Sequence, residues 1–421
     1  MTTTSSVLTW SVIAKEYLYQ LLNNFTMANL VNRQYAKDYS GPHRTGATIT
    51  IPKPNRFRAS DTEAIAYSDI TEPSTTITIS HNAQVTWDFL GSTLRTSIDN
   101  YSERFIKPAV KAMVQQIDRN LLAQYVNVYN SVGSPGTDPA SFAVLAAAAQ
   151  RLDEECAPQE RFGVFNPAAT YGLANGMVFG TYYSGIAGTD KIVGEWITKG
   201  NLGEVCGINC YKSQNVNRHT TGHFTTGATP LIDSTTATGA STLKVDGFTT
   251  TTNTVKKGDI FTLGTAGGSS ATAPLYATNP MSGDSNSYLR QFAVGGDLTS
   301  TGSGDMVAVA ISPKCQYAAT DPFTTVSQLP IDEHNLTFLG TQDTAYAQNL
   351  VFCKDAFGLV CLDHERPDEG VGWIETDPDS GLSIRIWKVW DWATNRHICR
   401  CDCLYGVATF YPELAVRVWG K

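Results

Sequence analysis

The sequence predicts an α+β protein with a small β-barrel set inside it. Three observations carry this. Positions 76–89 alternate polar and apolar residues almost without a slip, the pattern of a strand with one wet and one buried face. Residues 99–130 repeat apolar side chains at three- and four-residue steps, the pattern of a helix. Between 219 and 345 Thr, Gly and Ser dominate and no helical period survives, which suits short strands and turns.

Composition sets the bounds. A chain of 421 residues can hold two or three domains and a large core. Charged residues are 17%, below the usual value of about 25%. A soluble chain this poor in charge hides much of its surface against partners, although a secreted β-rich protein can share the composition. The net charge is −8, from 31 basic and 39 acidic residues, and no Lys/Arg cluster stands out. Tight, unassisted nucleic-acid binding is therefore not expected. The first lysine is Lys15, so a basic n-region is not read at the N-terminus and a secretory leader is not expected, and no apolar run reaches the ~18 residues of a membrane span. Nine cysteines at irregular spacing fit reduced thiols in a cytoplasm better than a disulfide framework.

Taken in order, residues 7–31 read as an amphipathic helix, with Leu8, Val12, Ile13, Leu18, Leu21, Leu22 and Phe25 at helical spacing. Gly41-Pro42 marks a turn. Residues 44–95 read as an extended hairpin. Its first arm is Thr48–Ile51, and Pro52 and Pro54 interrupt the pairing. Its tip, 53–73, carries Arg56, Arg58, Asp61 and Glu63 among other charges. These read either as a solvated loop or as ion pairs to a neighbouring molecule. In the second arm the odd positions 77, 79, 83, 85, 87 and 89 are apolar and the even ones polar. Such a strand would reach roughly 45 Å, where an ordinary one stops at about five or six residues. Its apolar face is expected to outrun the core of its own domain and to need a second molecule as cover. That points to assembly rather than catalysis. Trp87 and Phe89 are the candidate anchors, packing either on that neighbour or within the subunit.

The helix at 99–130 buries Ile106, Val110, Met113, Ile117, Leu121, Tyr125 and Val128, with Pro108 either starting or kinking it. A second, Ala-rich helix at 139–155 follows Asp138-Pro139, read as cap and first-turn proline. A short buried strand at 162–165, a helix opened by Pro167, and a loop leading to a strand at 203–211 come next. Strands at Ser241–Val245, Gly258–Leu263, Leu289–Val294 and Met306–Ile311 suggest a small barrel or sandwich inserted into the main domain. Strands and turns alternate from 349 to 421.

Several of these segments resemble the coat proteins of P22-type bacteriophages. Gly258–Leu263, Leu289–Val294 and Val309–Pro313 are similar to the inserted β-barrel of that family. Asn349–Phe352, Lys354–Phe357 and Gly381–Arg385 resemble the segment that follows the insertion, and Cys401–Gly406 with Pro412–Ala415 the C-terminal strand and loop. The resemblance implies a major capsid protein of a tailed phage with the HK97-like (Johnson) fold. It implies an N-terminal arm at 1–43, an extended E-loop at 44–95, and a P-domain from 96–135 and 396–421. It further implies an A-domain from 136–218 and 346–395 and an insertion domain at 219–345. The implied partners are further copies of the chain in pentamers and hexamers, a scaffolding protein, a portal protein, decoration proteins, and packaged double-stranded DNA enclosed without sequence-specific binding. No membrane partner is implied. The implied location is the virion capsid, assembled in the host bacterial cytoplasm.

Candidate chemical sites read weakly beside this. Cys399, Cys401 and Cys403 would share one face of a strand, with His397 beside them, but ligands two apart on a strand splay by about 7 Å, too far for one tetrahedral zinc. Asp363-His364-Glu365 would point to alternating faces and cannot converge on one atom. Gly264–Gly268 lacks a following Lys-Ser/Thr pair and does not cradle phosphate. Lys53 has no identifiable partners for an isopeptide cross-link. No catalytic residue, metal site or cofactor is assigned, and no enzyme activity is expected. The alternatives are a secreted β-rich binding module such as a carbohydrate-binding adhesin and, third, a metal-dependent hydrolase.

Overall fold

Two sheets and a closed barrel hold most of the strands in the computed structural model, which describes residues 10–35, 48–57, 72–90, 106–182, 202–224, 230–248, 253–266, 273–318, 321–365, 371–377 and 381–420. The chain divides into two bodies. One comprises 1–51, 74–122 and 357–410; the other comprises 52–73, 123–356 and 411–421.

The first body is built on a long sheet. Its path is β1 (Thr48–Pro52), β2 (Ser74–Leu90), β23 (Arg396–Thr409), β22 (Ser383–Asp391) and β21 (Val371–Thr376), with β20 (Phe357–Leu362) also on β23. β2 runs 17 residues and keeps the alternation legible in its sequence. Every even position from Ser74 to Asp88 is exposed, Ile77 and Ala83 are buried, and Ile79, Val85 and Trp87 are half-buried. What covers that face differs from the expectation. From Ile79 to Leu90 the strand is laddered, antiparallel, onto Gly406–Arg396 of β23. Helix α2 (Lys107–Leu122) packs on β2, and helix α1 (Trp10–Asn24) packs on α2, β21 and β22. The ribbon is thus sheltered in large part by its own subunit. Among the described residues the two hairpin arms meet where the Thr48 and Thr78 hydroxyls stand 2.9 Å apart and where Lys53 N donates to Pro73 O at 2.7 Å.

Pro108 sits in the first turn of α2, where its missing N–H costs nothing, and so starts the helix rather than kinking it. Ile106, Val110, Met113, Ile117 and Leu121 are buried as their spacing requires. Residues 99–105 lie outside the described residues. The regular helix ends at Leu122, short of 130, and the chain continues as a 3₁₀ turn at Ala123–Asn127. In α1, Leu18 and Leu21 are buried, and the Tyr17 hydroxyl donates to Met113 Sδ at 2.8 Å. Leu8 and the side chains of Val12 and Ile13 lie outside the described residues. Beyond α1 the chain turns at Thr26–Leu30. Buried Asp118 of α2 closes that turn, accepting Thr26 N and Ala28 N, both at 3.1 Å.

The second body carries a mixed sheet of β3 (Ser131–Val132), β24 (Ala415–Val418), β19 (Asn349–Cys353), β4 (Arg161–Phe165), β6 (Ile208–Lys212) and β5 (Glu204–Val205), in that order. The 203–211 segment is a tight β5–β6 hairpin rather than a loop and a strand. Cys206 and Gly207 both take positive φ, 52° and 70°, as a two-residue hairpin turn needs. Helices α3 (Phe142–Glu154) and α4 (Pro167–Tyr182) supply the core with Val144, Leu145, Leu152 and Leu173. Pro167 opens α4 as expected. α3 begins later than expected, at Phe142, with extended Ser141 as its N-cap. Residues 139–140 are held elsewhere: their carbonyls lie against Gly172 and Gly176 of α4, where an added Cβ would come within 2.9 and 1.7 Å of them.

The inserted segment forms a closed barrel in the order β11 (Ile260–Ala266), β14 (Gln291–Val294), β16 (Met306–Cys315), β9 (Ala240–Asp246), β8 (Leu231–Ile232) and β17 (His334–Phe338). Stacked Phe261 and Phe292, 5.5 Å apart, sit at its centre with Leu263, Val245 and Ile311. The strand expected at Leu289–Val294 is broken at Arg290, which separates β13 (Ser285–Leu289) from β14. Two-stranded ribbons join β7 (Arg218–Thr220) to β18 (Ala345–Ala347), β10 (Thr254–Val255) to β15 (Leu298–Thr299), and β12 (Tyr276–Thr278) to β13.

Candidate assembly surfaces

Of the residues singled out for contact with a neighbour, Arg58, Asp61 and Glu63 lie outside the described residues, as does the side chain of Phe89. Arg56 is described and has partners in its own chain. Its Nη2 stands 3.4 Å from Glu413 Oε1, and its guanidinium lies 5.9 Å from the Phe323 ring centre. Trp87 is half-buried opposite Cys399, on the sheet face that also carries Cys401 and Cys403.

The three cysteines do share a face, and each is buried. Burial pushes the Cys401 thiol well above its usual range. The opposite face is not simply wet at this point. Asp402 is fully buried there, held by Arg385 Nη2 at 2.5 Å and Arg400 Nε at 2.6 Å. Among the described residues, no group of three His, Cys, Asp or Glu comes together as metal ligands. Asp363 and Glu365 are exposed and His364 is half-buried, so the three do not converge.

One surface was not singled out in the sequence. The β22–β23 hairpin presents Trp392 at its tip with 86% of its surface exposed, beside half-exposed Trp390. The tip is held in shape by Asp391, which accepts Ala393 N at 3.0 Å and the Thr394 hydroxyl at 2.5 Å. Those bonds keep its carboxyl below the usual range. The legible signal was Trp390-Asp391-Trp392 running into Ala-Thr-Asn, two large apolar residues directly before a turn.

The barrel is tied to the rest of the second body through a polar seam. Fully buried Asp259, in the turn before β11, accepts Gly222 N at 3.1 Å and Lys256 N at 2.8 Å, and pairs with His219 Nε2 at 2.8 Å. His219 Nδ1 meets the Tyr125 hydroxyl at 3.2 Å. Arg417 on β24 donates to Gly258 O at 2.7 Å and packs over the Tyr125 ring. Burial draws the Arg417 guanidinium down to about 10. A second tie is the ion pair between Arg290 Nη1 and Glu155 Oε1 at 2.7 Å, with both side chains 3% exposed.

Near it, a cavity of about 530 Å³ is lined by Lys53, Arg56, Arg290, Lys314, Phe323 and Tyr411, among others. Lys53 Nζ lies 4.6 Å from the Tyr411 ring centre.

Comparison with known proteins gives one family. P22 coat protein (gene protein 5) matches residues 1–420. No curated protein matches. Among solved structures, one from Mycobacterium phage Che8 is 12% identical, with 94% of this chain and 90% of that chain covered and a TM-score of 0.47. The capsid of cyanophage P-SCSP1u is 12% identical, with 90% and 84% covered and a TM-score of 0.40. The capsid of Ralstonia phage GP4 is 10% identical, with 90% and 84% covered and a TM-score of 0.41.

Proposed function

The chain belongs to the P22 coat protein family and is a major capsid protein that assembles with its own copies into a shell; from that premise we propose how its parts divide the work. The single observation that carries the reading is the family match over residues 1–420, which takes in the long sheet and the inserted barrel alike. The first body acts as the framework of the shell. Its spine is α2, and the segment 53–73, which belongs to the second body, is the arm that reaches a neighbour. The charges Arg58, Asp61 and Glu63 on that arm make ion pairs across the contact, while Arg56 holds the arm to its own subunit through Glu413. The barrel steadies the second body through the Asp259–His219–Tyr125 seam. The shell is closed by many modest contacts made at once, so that each can be weak. A scaffolding protein guides assembly in the host cytoplasm, a portal occupies one vertex, and double-stranded DNA is enclosed without a basic grip, in keeping with the net charge of −8.

Electron microscopy of the chain expressed alone and with a scaffolding partner tests this. Uniform hollow particles with the partner are expected. Only monomers or irregular aggregates in both cases would refute it. Trp87, as an anchor near the base of the 44–95 hairpin, has its own test. Trp87→Ala is expected to give soluble subunits that fail to build normal shells, because buried aromatics dominate interface energy. Normal particles at normal yield would remove it from that role.

A further inference from the structure

We propose that the cavity between Lys53, Arg56, Arg290 and Lys314 is a binding site for a single oxyanion, a phosphate or a carboxylate. Four cationic side chains line it against three carboxylates, Glu155, Asp321 and Glu413. All three carboxylates are already engaged inside the chain. Glu155 holds Arg290, Glu413 faces Arg56, and Asp321 accepts Gln316 Nε2 at 2.5 Å and Phe323 N at 2.8 Å. Lys53 and Lys314 have no carboxylate within 4.0 Å among the described residues. The Lys53 ammonium is half-buried with only the Tyr411 ring beneath it. Such a cation has lost part of its hydration, and the carboxylate that acts on it, Glu413, stands beyond 4.0 Å and is paired with Arg56, so an anion in the cavity would supply a closer counter-charge.

A second, independent observation points the same way. Two buried donors on the lining residues have no partner: Arg290 Nε, on a side chain 3% exposed, and Asn55 Nδ2. Buried N–H groups left unpaired are rare, and each calls for an acceptor. Two ammonium groups, a guanidinium N–H and an amide N–H make a donor-rich set among the lining residues. That set fits an oxygen-rich anion. Apolar Pro54, Pro313 and Pro412 form part of the remaining wall, and a low-polarity wall strengthens charge-assisted bonds.

The probe is inorganic phosphate, titrated calorimetrically into full-length isolated subunits against sodium chloride at equal ionic strength. Saturable one-site binding of phosphate is expected. Lys53→Met is expected to weaken it about tenfold or more, the usual effect of losing one charge-assisted bond. Lys314→Met is the second variant; its side chain is exposed, so the fold does not depend on it. No phosphate heat beyond chloride, or wild-type binding by both variants, would mean that the cavity holds water only and would overturn the proposal. A parallel titration of assembled shells separates the two sources. Binding by subunits and shells alike identifies a free ion; binding by subunits alone identifies a neighbour's carboxylate seated there in the shell. The subunit arm is readable whether or not shells form, so its result stands apart from the capsid assignment.

Discussion

Asp118 gives the sharpest test of how the first body is held. Its carboxylate is buried in α2 and accepts two backbone N–H groups from the turn after α1. Burial nevertheless wins over those bonds and raises its pKa from 3.8 to about 6. The sign follows from proton counts. Between pH 4 and 6 the folded chain holds a proton on Asp118 that the unfolded chain has released, so stability falls as pH rises through this window and levels off above it. The total change from pH 4 to 7 is about 2–3 kcal/mol for this one group. Asp118→Asn keeps the shape and one acceptor but cannot ionise. At pH 7 it relieves a buried charge while turning an NH₂ toward a backbone donor, a cost of about 1–3 kcal/mol. Its net effect there is small. At pH 4 only the cost remains. Denaturant unfolding of isolated subunits at pH 4, 5, 6 and 7 reads this directly. The gap between variant and wild type should narrow by about 2–3 kcal/mol on going from pH 4 to 7. Parallel curves would refute the assignment of a raised Asp118 pKa.

Two further expectations concern the second body. Gly176→Ala would place a Cβ 1.7 Å from Ala140 O, so the backbone must move; a loss above about 3 kcal/mol is expected, whereas Gly296→Ala, with open space around it, should stay within about 0.5 kcal/mol, and melting temperatures compare the two. Glu155→Ala leaves the Arg290 cation buried without its carboxylate and should cost about 3–5 kcal/mol, while the Glu155→Ala, Arg290→Met pair should cost less than the sum of the two singles; additive losses in the double-mutant cycle would show the pair to be uncoupled.

Much of this architecture is legible in the residues because it depends on local periodicity. β2 shows its two faces in its alternation, α2 shows its buried stripe, and the barrel announces itself by a change of composition. The misses share one cause: each was decided by a partner far away in sequence. α3 starts at Phe142 because residues 139–140 are needed against Gly172 and Gly176, which no local capping signal can reveal. The strand through Arg290 breaks where that residue turns to Glu155, 135 positions away in the chain. The cavity assembles residues from Lys53 to Glu413 and has no motif at all. Arg56 was legible as a charge on a loop, but its pairing with Glu413 was not.

The long ribbon shows why a correct pattern can carry an incorrect premise. Alternation fixes which side of a strand is apolar; it says nothing about what lies on that side. Ile77 and Ala83 are fully covered by the subunit's own sheet and helices, so the length of β2 alone does not demand a second molecule. Ile79, Val85 and Trp87 stay half-buried, and among the exposed large apolar residues Trp392 at the β22–β23 hairpin stands out at 86%. Aromatic surface on a hydrogen-bonded turn is costly to leave in water and loses little entropy when buried. The exposed aromatic at a hairpin tip and the half-buried Ile79, Val85 and Trp87 along β2 are thus two separate apolar features of one sheet.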